Sequence, residues 1–102
     1  MADDALDYFV KRIREQLGVH LKRVILFGSR ARGNETFNSD YDCLVVVDEA
    51  SEEVKDIIDE VAGDTLYEYN AVFSAFPVSQ EKLNHDIYSP LFINISKEGI
   101  TL

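Results

Sequence analysis

Apolar residues recur at helical spacing in two stretches of this chain. In the first stretch they fall three or four positions apart, at Leu6, Phe9, Val10, Ile13 and Leu17. Asp3 and Asp4 precede this stretch and Gly18 follows it, so it predicts an amphipathic helix with a defined start and stop. The second stretch follows Ser51, a favoured N-cap residue, and holds Val54, Ile57, Ile58, Val61, Ala62 and Leu66. It predicts a second helix, and the outer face of this helix is strongly acidic.

Three other stretches have the composition of β-strands. Val24–Phe27 is a continuous apolar run, as expected of a strand that is buried on both faces. Tyr41–Val47 is a second apolar run, and it begins beside two aspartates. Tyr67–Val78 is rich in aromatic and β-branched residues and contains Pro77, which predicts a third strand at the edge of the sheet.

Two further helices are predicted near the C terminus. Ser79 can cap a short helix over Gln80–Asn84, and Ser89 is an N-cap residue followed by Pro90, a residue favoured at the first helical position. Gly99 ends the last helix. The resulting order α-β-β-α-β-α-α predicts an α/β fold, in which residues 1–102 form a single domain with helices packed on one small mixed β-sheet. The pattern leaves open which strand pairs are parallel.

The charge of the chain is uneven and argues against a nucleic-acid ligand. The 102 residues carry 19 acidic against 10 basic side chains, a formal net charge of −9. Residues 1–34 carry +3 and the other 68 residues carry −12. Because nucleic-acid affinity comes largely from Lys and Arg that displace counterions, direct binding to DNA or RNA is disfavoured. The acidic excess favours a divalent cation or a protein with a basic surface as partner.

The first residues and the cysteine content suggest a cytoplasmic location. The chain opens with Met-Ala-Asp-Asp, which is acidic where a secretory signal would be basic. No apolar run approaches the ~18 residues that a membrane span requires. Cys43 has no second cysteine with which to form an intramolecular disulfide. We therefore expect a cytoplasmic protein that does not act at a membrane.

Gly28 and Ser29 stand where the first buried strand stops. A residue without Cβ at this position lets another group, such as a phosphate, approach the backbone closely. Ser29 adds a hydroxyl at a predicted helix N-terminus, where free amides and the helix dipole favour an anion. The segment is not a Walker A loop, because Asn34 and Glu35 stand where Lys and Ser or Thr would be needed. A phosphate seat and a plain strand-to-helix turn both fit the two residues.

Asp40 and Asp42 stand two residues apart at the start of an apolar strand. Their side chains are expected on the same face, with Cα atoms roughly 6.5 Å apart. Two such carboxylates repel each other unless a cation lies between them, and Mg²⁺ shared with substrate phosphates would make the pair favourable. The alternative is that Asp40 caps a turn while Asp42 is a solvated residue paired to an arginine.

The phosphate seat and the acid pair together resemble a known signature. Gly28–Gly33 (Gly-Ser-Arg-Ala-Arg-Gly) and Ser39–Asp42 (Ser-Asp-Tyr-Asp) resemble the Gly-Ser and Asp-x-Asp motifs of the DNA polymerase β-type nucleotidyltransferases. The short chain resembles their minimal, stand-alone members, which often serve as antitoxins paired with an HEPN-domain toxin. The closing stretch Asn94–Ile100 is similar to the tail of such proteins.

The resemblance implies a site and a reaction. Gly28 and Ser29 would grip the β- and γ-phosphates of ATP, and Asp40 and Asp42 would be catalytic metal ligands for two Mg²⁺ ions. An acceptor hydroxyl would attack the α-phosphorus in line, with pyrophosphate leaving and the two ions about 4 Å apart. The transferred group would be AMP. The implied acceptor is a tyrosine of a cognate HEPN ribonuclease toxin, which the modification silences.

Many active members of this family carry a third carboxylate on a later strand. In this chain its place falls in the predicted third strand, where Glu68 and Asn70 share a face at period 2. Asn70 is not a base, so Glu68 is the candidate catalytic residue. Glu68 stands at the fringe of that strand, and an exposed acid there is also consistent with no catalytic role. Catalytic competence depends on this position or on a base from the partner.

Two arginines lie between the phosphate seat and the acid pair. Arg30 and Arg32 are candidate nucleotide-binding residues, because their forked donors suit phosphate oxygens. Arg32 could equally pair with Asp40 or Asp42 and hold the loop. The sequence leaves both roles open.

Two functions other than transfer fit the same residues. The chain could be a catalytically idle module that neutralises its toxin by stoichiometric contact, or a regulatory domain that senses a nucleotide. The acidic run from Asp48 to Asp64 is typical of a solvated helix face, and in an antitoxin it could also dock on a basic toxin surface. Charge reversal at Glu52, Glu53 and Asp56 would test that docking.

Overall fold

The computed structural model describes residues 3–33 and 40–102, and the strands within them form one mixed sheet. The helices are α1 (Asp4–Leu17), α2 (Gly28–Arg32), α3 (Glu52–Tyr69), α4 (Gln80–His85) and α5 (Pro90–Glu98). The strands are β1 (Leu21–Phe27), β2 (Tyr41–Val47), β3 (Phe73–Ser79) and β4 (Ile100–Thr101). The sheet order is β3-β2-β1-β4. The predicted α/β fold with helices packed on a small mixed sheet is confirmed.

The pairing directions follow from the connections between strands. β1 is antiparallel to both β2 and β4, whereas β2 and β3 are parallel. Parallel neighbours need a long crossover, and the 18 residues of α3 provide it between β2 and β3. β3 lies at the edge of the sheet, as Pro77 predicted, and within the described residues it pairs with β2 alone. Pro77 suits an edge because it lacks a backbone N–H donor.

The two faces of the sheet bury different sets of side chains. One face packs against α1 and α3 around Phe9, Ile13 and Ile58, each fully buried. We call it the α1/α3 face. The other face packs mainly against α5, and we call it the α5 face. Its buried residues are Ile25, Leu44, Val46, Val78, Phe92 and Ile95.

Most of the predicted element ends are confirmed. β2 has the predicted bounds, and β1 begins three residues earlier than predicted, at Leu21. The three predicted serine caps each accept a hydrogen bond from a backbone N–H of the first helical turn: Ser51 from Val54, Ser79 from Lys82, and Ser89 from Phe92. β4 was not predicted, because a strand of two residues is too short to show an alternating pattern.

The predicted third strand begins too early. α3 continues to Tyr69, and Asn70 ends it in the left-handed conformation, with φ of +53°. Packing on α1 explains why α3 continues beyond Leu66. The Tyr69 ring lies 5.2 Å from the Tyr8 ring, and earlier in α3 Asp64 lies 3.2 Å from Arg12 in an ion pair. The Tyr69 ring therefore reflects packing between two helices.

The described helices also bear on the expected absence of a membrane segment. In residues 3–33 and 40–102, no helix combines the length and the apolar character that crossing a bilayer would require.

Candidate functional site

Gly28 brings the end of β1 against the start of β2. Its φ of +74° lies in the region that favours glycine. A Cβ added to Gly28 would also overlap the Oδ2 atom of Asp42. Any other residue here would therefore be strained and would displace that carboxylate. The sequence predicted that Gly28 permits a close approach, and in the structure the approaching group is the side chain of Asp42.

The short helix α2 starts at Gly28, so Ser29 lies in its first turn as the sequence predicted. The N-cap residue is Phe27, whose side chain has no oxygen that could accept a hydrogen bond from the first amides. Such amides are suited to bind an anion. Ser29 is half-buried, and Gly33 closes the helix in the left-handed conformation. The structure thus places an amide-rich turn directly beside the Asp42 carboxylate.

The two aspartates differ in their surroundings. Asp42 is half-buried in β2, a central strand, where it lies between Phe27 of β1 and Ser74 of β3 in the register. Asp40 is exposed and precedes the strand by one residue. The hydrogen bond from the Tyr41 amide to the Val72 carbonyl, 2.9 Å long, holds this start of β2 in place. Ser39, the first residue of the second motif, lies outside the described residues.

The acid pair has the donor chemistry that Mg²⁺ prefers. Magnesium in proteins takes one or two carboxylates and completes its shell with water and substrate phosphates. Among the described residues, no group of three or more His, Cys, Asp and Glu side chains is placed to hold a metal. The described residues therefore suit an ion that completes its shell with water and a phosphate better than a fully protein-bound ion.

Arg30 lies on Tyr41 in the structure. Its guanidinium carbon is 3.8 Å from the centre of the Tyr41 ring, a cation–π contact. The Tyr41 hydroxyl donates a 2.7 Å hydrogen bond to Asp3, and the other face of the ring stacks on Phe73 at 4.4 Å. Burial, and then the hydrogen bond to Asp3, raise the pKa of Tyr41 to about 12. Arg30 therefore ties α2 to the start of β2, a contact that the sequence did not predict.

The expected position of Glu68 is wrong. Glu68 lies in the last turn of α3, and Asn70 is the residue that ends this helix, so neither belongs to β3. The residue that pairs with Asp42 on β3 is Ser74, which is exposed. The third-carboxylate role given to Glu68 therefore loses its structural basis. Asn70 is a residue that favours left-handed C-caps. With the helix end placed there, the predicted third strand would have begun later, and Ser74 would have been the residue expected beside Asp42.

The remaining candidates have simple placements. Cys43 is buried on the α1/α3 face, and burial raises the pKa of its thiol to about 12. The thiol is therefore protonated at neutral pH and is a core group. Of Arg32, the structure describes the backbone within α2 but not the side chain, so its expected pairing lies outside the described part.

The sequence also missed an aromatic pair beside Asp42. Phe27 and Phe76 meet edge to face on the α5 face, with ring centres 6.2 Å apart. Phe76 is 38% exposed although it lies within a strand. Ser74 and Phe76 alternate with the inward-facing Phe73 and Ala75, a period-2 signal that was hidden by the wrong start of the strand.

Comparison with known proteins identifies relatives along nearly the whole chain. A family model described as "Nucleotidyltransferase domain" matches residues 6–96. Two proteins of Methanocaldococcus jannaschii carry the name "Putative protein adenylyltransferase". The one designated MJ0604 is 33% identical over 100 residues, covering 98% of this chain and 96% of its own length. The one designated MJ1305 is 29% identical over 98 residues, covering 93% of this chain and 67% of its own length.

Solved structures share the fold at low sequence identity. A Tyr-to-Ala mutant of the toxin–antitoxin MntA-HpeT superposes with a TM-score of 0.65 at 17% identity, covering all of this chain and 72% of the other. A toxin–antitoxin structure with AMP-PNP gives a TM-score of 0.64 at 17% identity, covering 91% of this chain and 68% of the other. Both matches agree with the observed arrangement of sheet and helices.

Proposed function

Because this chain belongs to the nucleotidyltransferase domain family, we propose that it transfers AMP from Mg²⁺-bound ATP to a tyrosine of a cognate HEPN-domain toxin. The modification silences the toxin, and the chain acts as its antitoxin in the cytoplasm. The observation that carries the proposal is the contact of Gly28 with Asp42, which joins the predicted phosphate seat to one of the two predicted metal ligands.

The similar proteins support the individual parts of this proposal. The relatives of Methanocaldococcus jannaschii are named as protein adenylyltransferases, which matches AMP as the group moved and a protein as the acceptor. The structural neighbours are toxin–antitoxin proteins, and one of them holds AMP-PNP. A toxin partner and a nucleotide substrate for this chain agree with both sets of names.

The residues of the site take distinct roles in the proposed reaction. The amides of α2 and the Ser29 hydroxyl bind the β- and γ-phosphates and so orient the leaving pyrophosphate. Asp40 and Asp42 hold Mg²⁺, which would supply a Lewis acid and neutralise phosphate charge. The tyrosine oxygen forms the new bond to the α-phosphorus, the bond from that phosphorus to pyrophosphate breaks, and the phenolic proton passes to solvent.

Transfer to a co-purified partner tests the proposal. The tagged protein is isolated from its native cell, and Mg²⁺ and ATP labelled at the α-phosphate are added. Wild type is compared with Asp42→Asn and with Asp59→Asn, a control at an exposed position of α3. We expect covalent label on the partner with wild type and Asp59→Asn, and a loss of roughly 100-fold or more with Asp42→Asn. A stable complex that takes up no label would overturn the transfer reaction.

Silencing by contact alone is the second candidate function, and Ser74 favours it. The position beside Asp42 on β3 carries no carboxylate, so the chain offers no base there. The exposed acids of α3 could instead dock on a basic toxin surface. Lys replacement of Glu52, Glu53 and Asp56 should then abolish toxin binding, whereas the same replacement of Asp4, Asp7 and Glu15 on α1 should not. Equal binding by both triple variants would reject docking through α3.

A further inference from the structure

Ser74 and Asp42 lie side by side on neighbouring strands. They are register partners in the parallel β2–β3 pair, so their Cα atoms are about 4.8 Å apart and their side chains project from the same face of the sheet. On this α5 face, the exposed Ser74 and the 38% exposed Phe76 leave part of β3 open to solvent. The side of Asp42 toward β3 is therefore accessible.

The part of β3 that is open to solvent carries an aromatic side chain. Phe76 is paired with Leu44 and meets Phe27 across β2 at 6.2 Å. This places one partly exposed ring next to Asp42 on the same face. A second aromatic ring that stacks on such a ring, or meets it edge to face, adds binding energy beyond that of the buried area. The surface formed by Ser74 and Phe76, which we call the β3 platform, carries no ionisable side chain and suits an aromatic group. Phe27 of β1 contacts the edge of this platform through the Phe76 ring.

The reaction geometry assigns opposite sides of Asp42 to the two reacting groups. In phosphoryl-type transfer, the attacking and leaving oxygens lie roughly in line on opposite sides of the phosphorus. α2 directly follows β1 and approaches Asp42 through Gly28, so the proposed function places the pyrophosphate on the β1 side of an α-phosphorus that is held over Asp42. The sheet order β3-β2-β1 puts the β3 platform on the other side. The attacking hydroxyl must then come from the direction of β3.

We infer that the β3 platform is the acceptor subsite, in which Phe76 contacts the ring of the phenol that attacks the nucleotide. The inference rests on the proposed function and adds to it the residues that select the acceptor. It makes Phe76 a determinant of acceptor binding and gives it no part in holding ATP.

A separation of the two binding steps tests this assignment. The KM for the co-purified partner and the Kd for Mg²⁺-ATP are measured for wild type, Phe76→Ala, Phe76→Tyr and Ile100→Ala. Ile100 is a matched control, since it is 46% exposed and lies on β4 at the opposite edge of the sheet. We expect Phe76→Ala to raise the partner KM about tenfold, equivalent to about 1.4 kcal/mol, with the ATP Kd changed less than about twofold. Phe76→Tyr should keep the partner KM close to the wild-type value.

Two outcomes would overturn the acceptor subsite. One is an unchanged partner KM in Phe76→Ala. The other is a loss of ATP affinity in that variant, which would show that the ring holds the nucleobase.

A second measurement separates this inference from the proposed function. N-acetyl-L-tyrosinamide is titrated into the protein with Mg²⁺ and α,β-methylene ATP, an analogue that cannot release pyrophosphate, and amide shifts are followed by NMR. We expect shifts at residues 74–76 that N-acetyl-L-serinamide does not cause and that Phe76→Ala removes. If wild type transfers no AMP but these shifts occur, the proposed reaction fails and the phenol subsite stands. If transfer occurs and the shifts are absent, the subsite fails alone.

Discussion

The two faces of the sheet serve different ends. The α1/α3 face is covered along its length by two long helices, and it buries Phe9, Ile13 and Ile58 completely. The α5 face is covered mainly by one nine-residue helix, which leaves Ser74 and Phe76 accessible beside Asp42 although the rest of that face is buried. The first face stabilises the fold because it excludes water throughout, whereas the second keeps an accessible strip beside Asp42, where the proposed function places the substrate. The same strands contribute to both by alternation of their side chains.

Truncation of one side chain on each face gives the largest contrast in stability. Ile58→Ala removes a fully buried side chain and should lower the free energy of unfolding by about 3 kcal/mol. Ser74→Ala, on the open part of the α5 face, should change it by less than about 0.5 kcal/mol. Urea unfolding followed by circular dichroism measures both. Similar losses in the two variants would contradict the division between the faces.

Two glycine substitutions compare the site with a helix of the α1/α3 face. Gly28→Ala should cost about 2 kcal/mol or more, because the residue has a positive φ and its Cβ would displace the Asp42 carboxylate. It should also lower AMP transfer, since Asp42 moves. Gly63→Ala is the control, because a Cβ there meets open space within α3, and it should stabilise by about 0.5–1 kcal/mol. Thermal melts and transfer assays on both variants measure stability and activity. Equal effects of the two substitutions would contradict the special role of Gly28.

The sequence predicted the fold better than it predicted the fine structure of the site. Helix periodicity, serine caps and the apolar run of β2 are local signals, and each is confirmed. The predicted start of the third strand was wrong because Tyr69 belongs to α3 and packs against Tyr8, a residue distant in the sequence. The pairing of Ser74 with Asp42 and the contact of Arg30 with Tyr41 also depend on tertiary packing. A single sequence does not show which residues of separate elements contact each other.

Substitution of Tyr41 has the smallest expected effect on stability. This residue links the site to the α1/α3 face. Its pKa is about 12 in the folded protein against 10 for the free side chain, so its stabilising contribution is complete below pH 10. That contribution is lost as the pH rises from about 10 to 12, because the unfolded chain ionises first. Tyr41→Phe should cost about 1 kcal/mol at pH 7 through the lost hydrogen bond to Asp3, and should flatten the alkaline fall in stability. Urea midpoints between pH 7 and 11 measure this, and an unchanged alkaline slope would count against the buried hydroxyl.

We propose that the contact between Gly28 and Asp42 marks a site of nucleotidyl transfer. The most direct measurement uses ATP labelled differently at the α- and γ-phosphates, with Mg²⁺ and the co-purified partner. We expect that only the α-label joins the partner, with one pyrophosphate released for each AMP bound, and that Asp42→Asn prevents both. Transfer of the γ-label with ADP as product, or labelling that survives in Asp42→Asn, would contradict it.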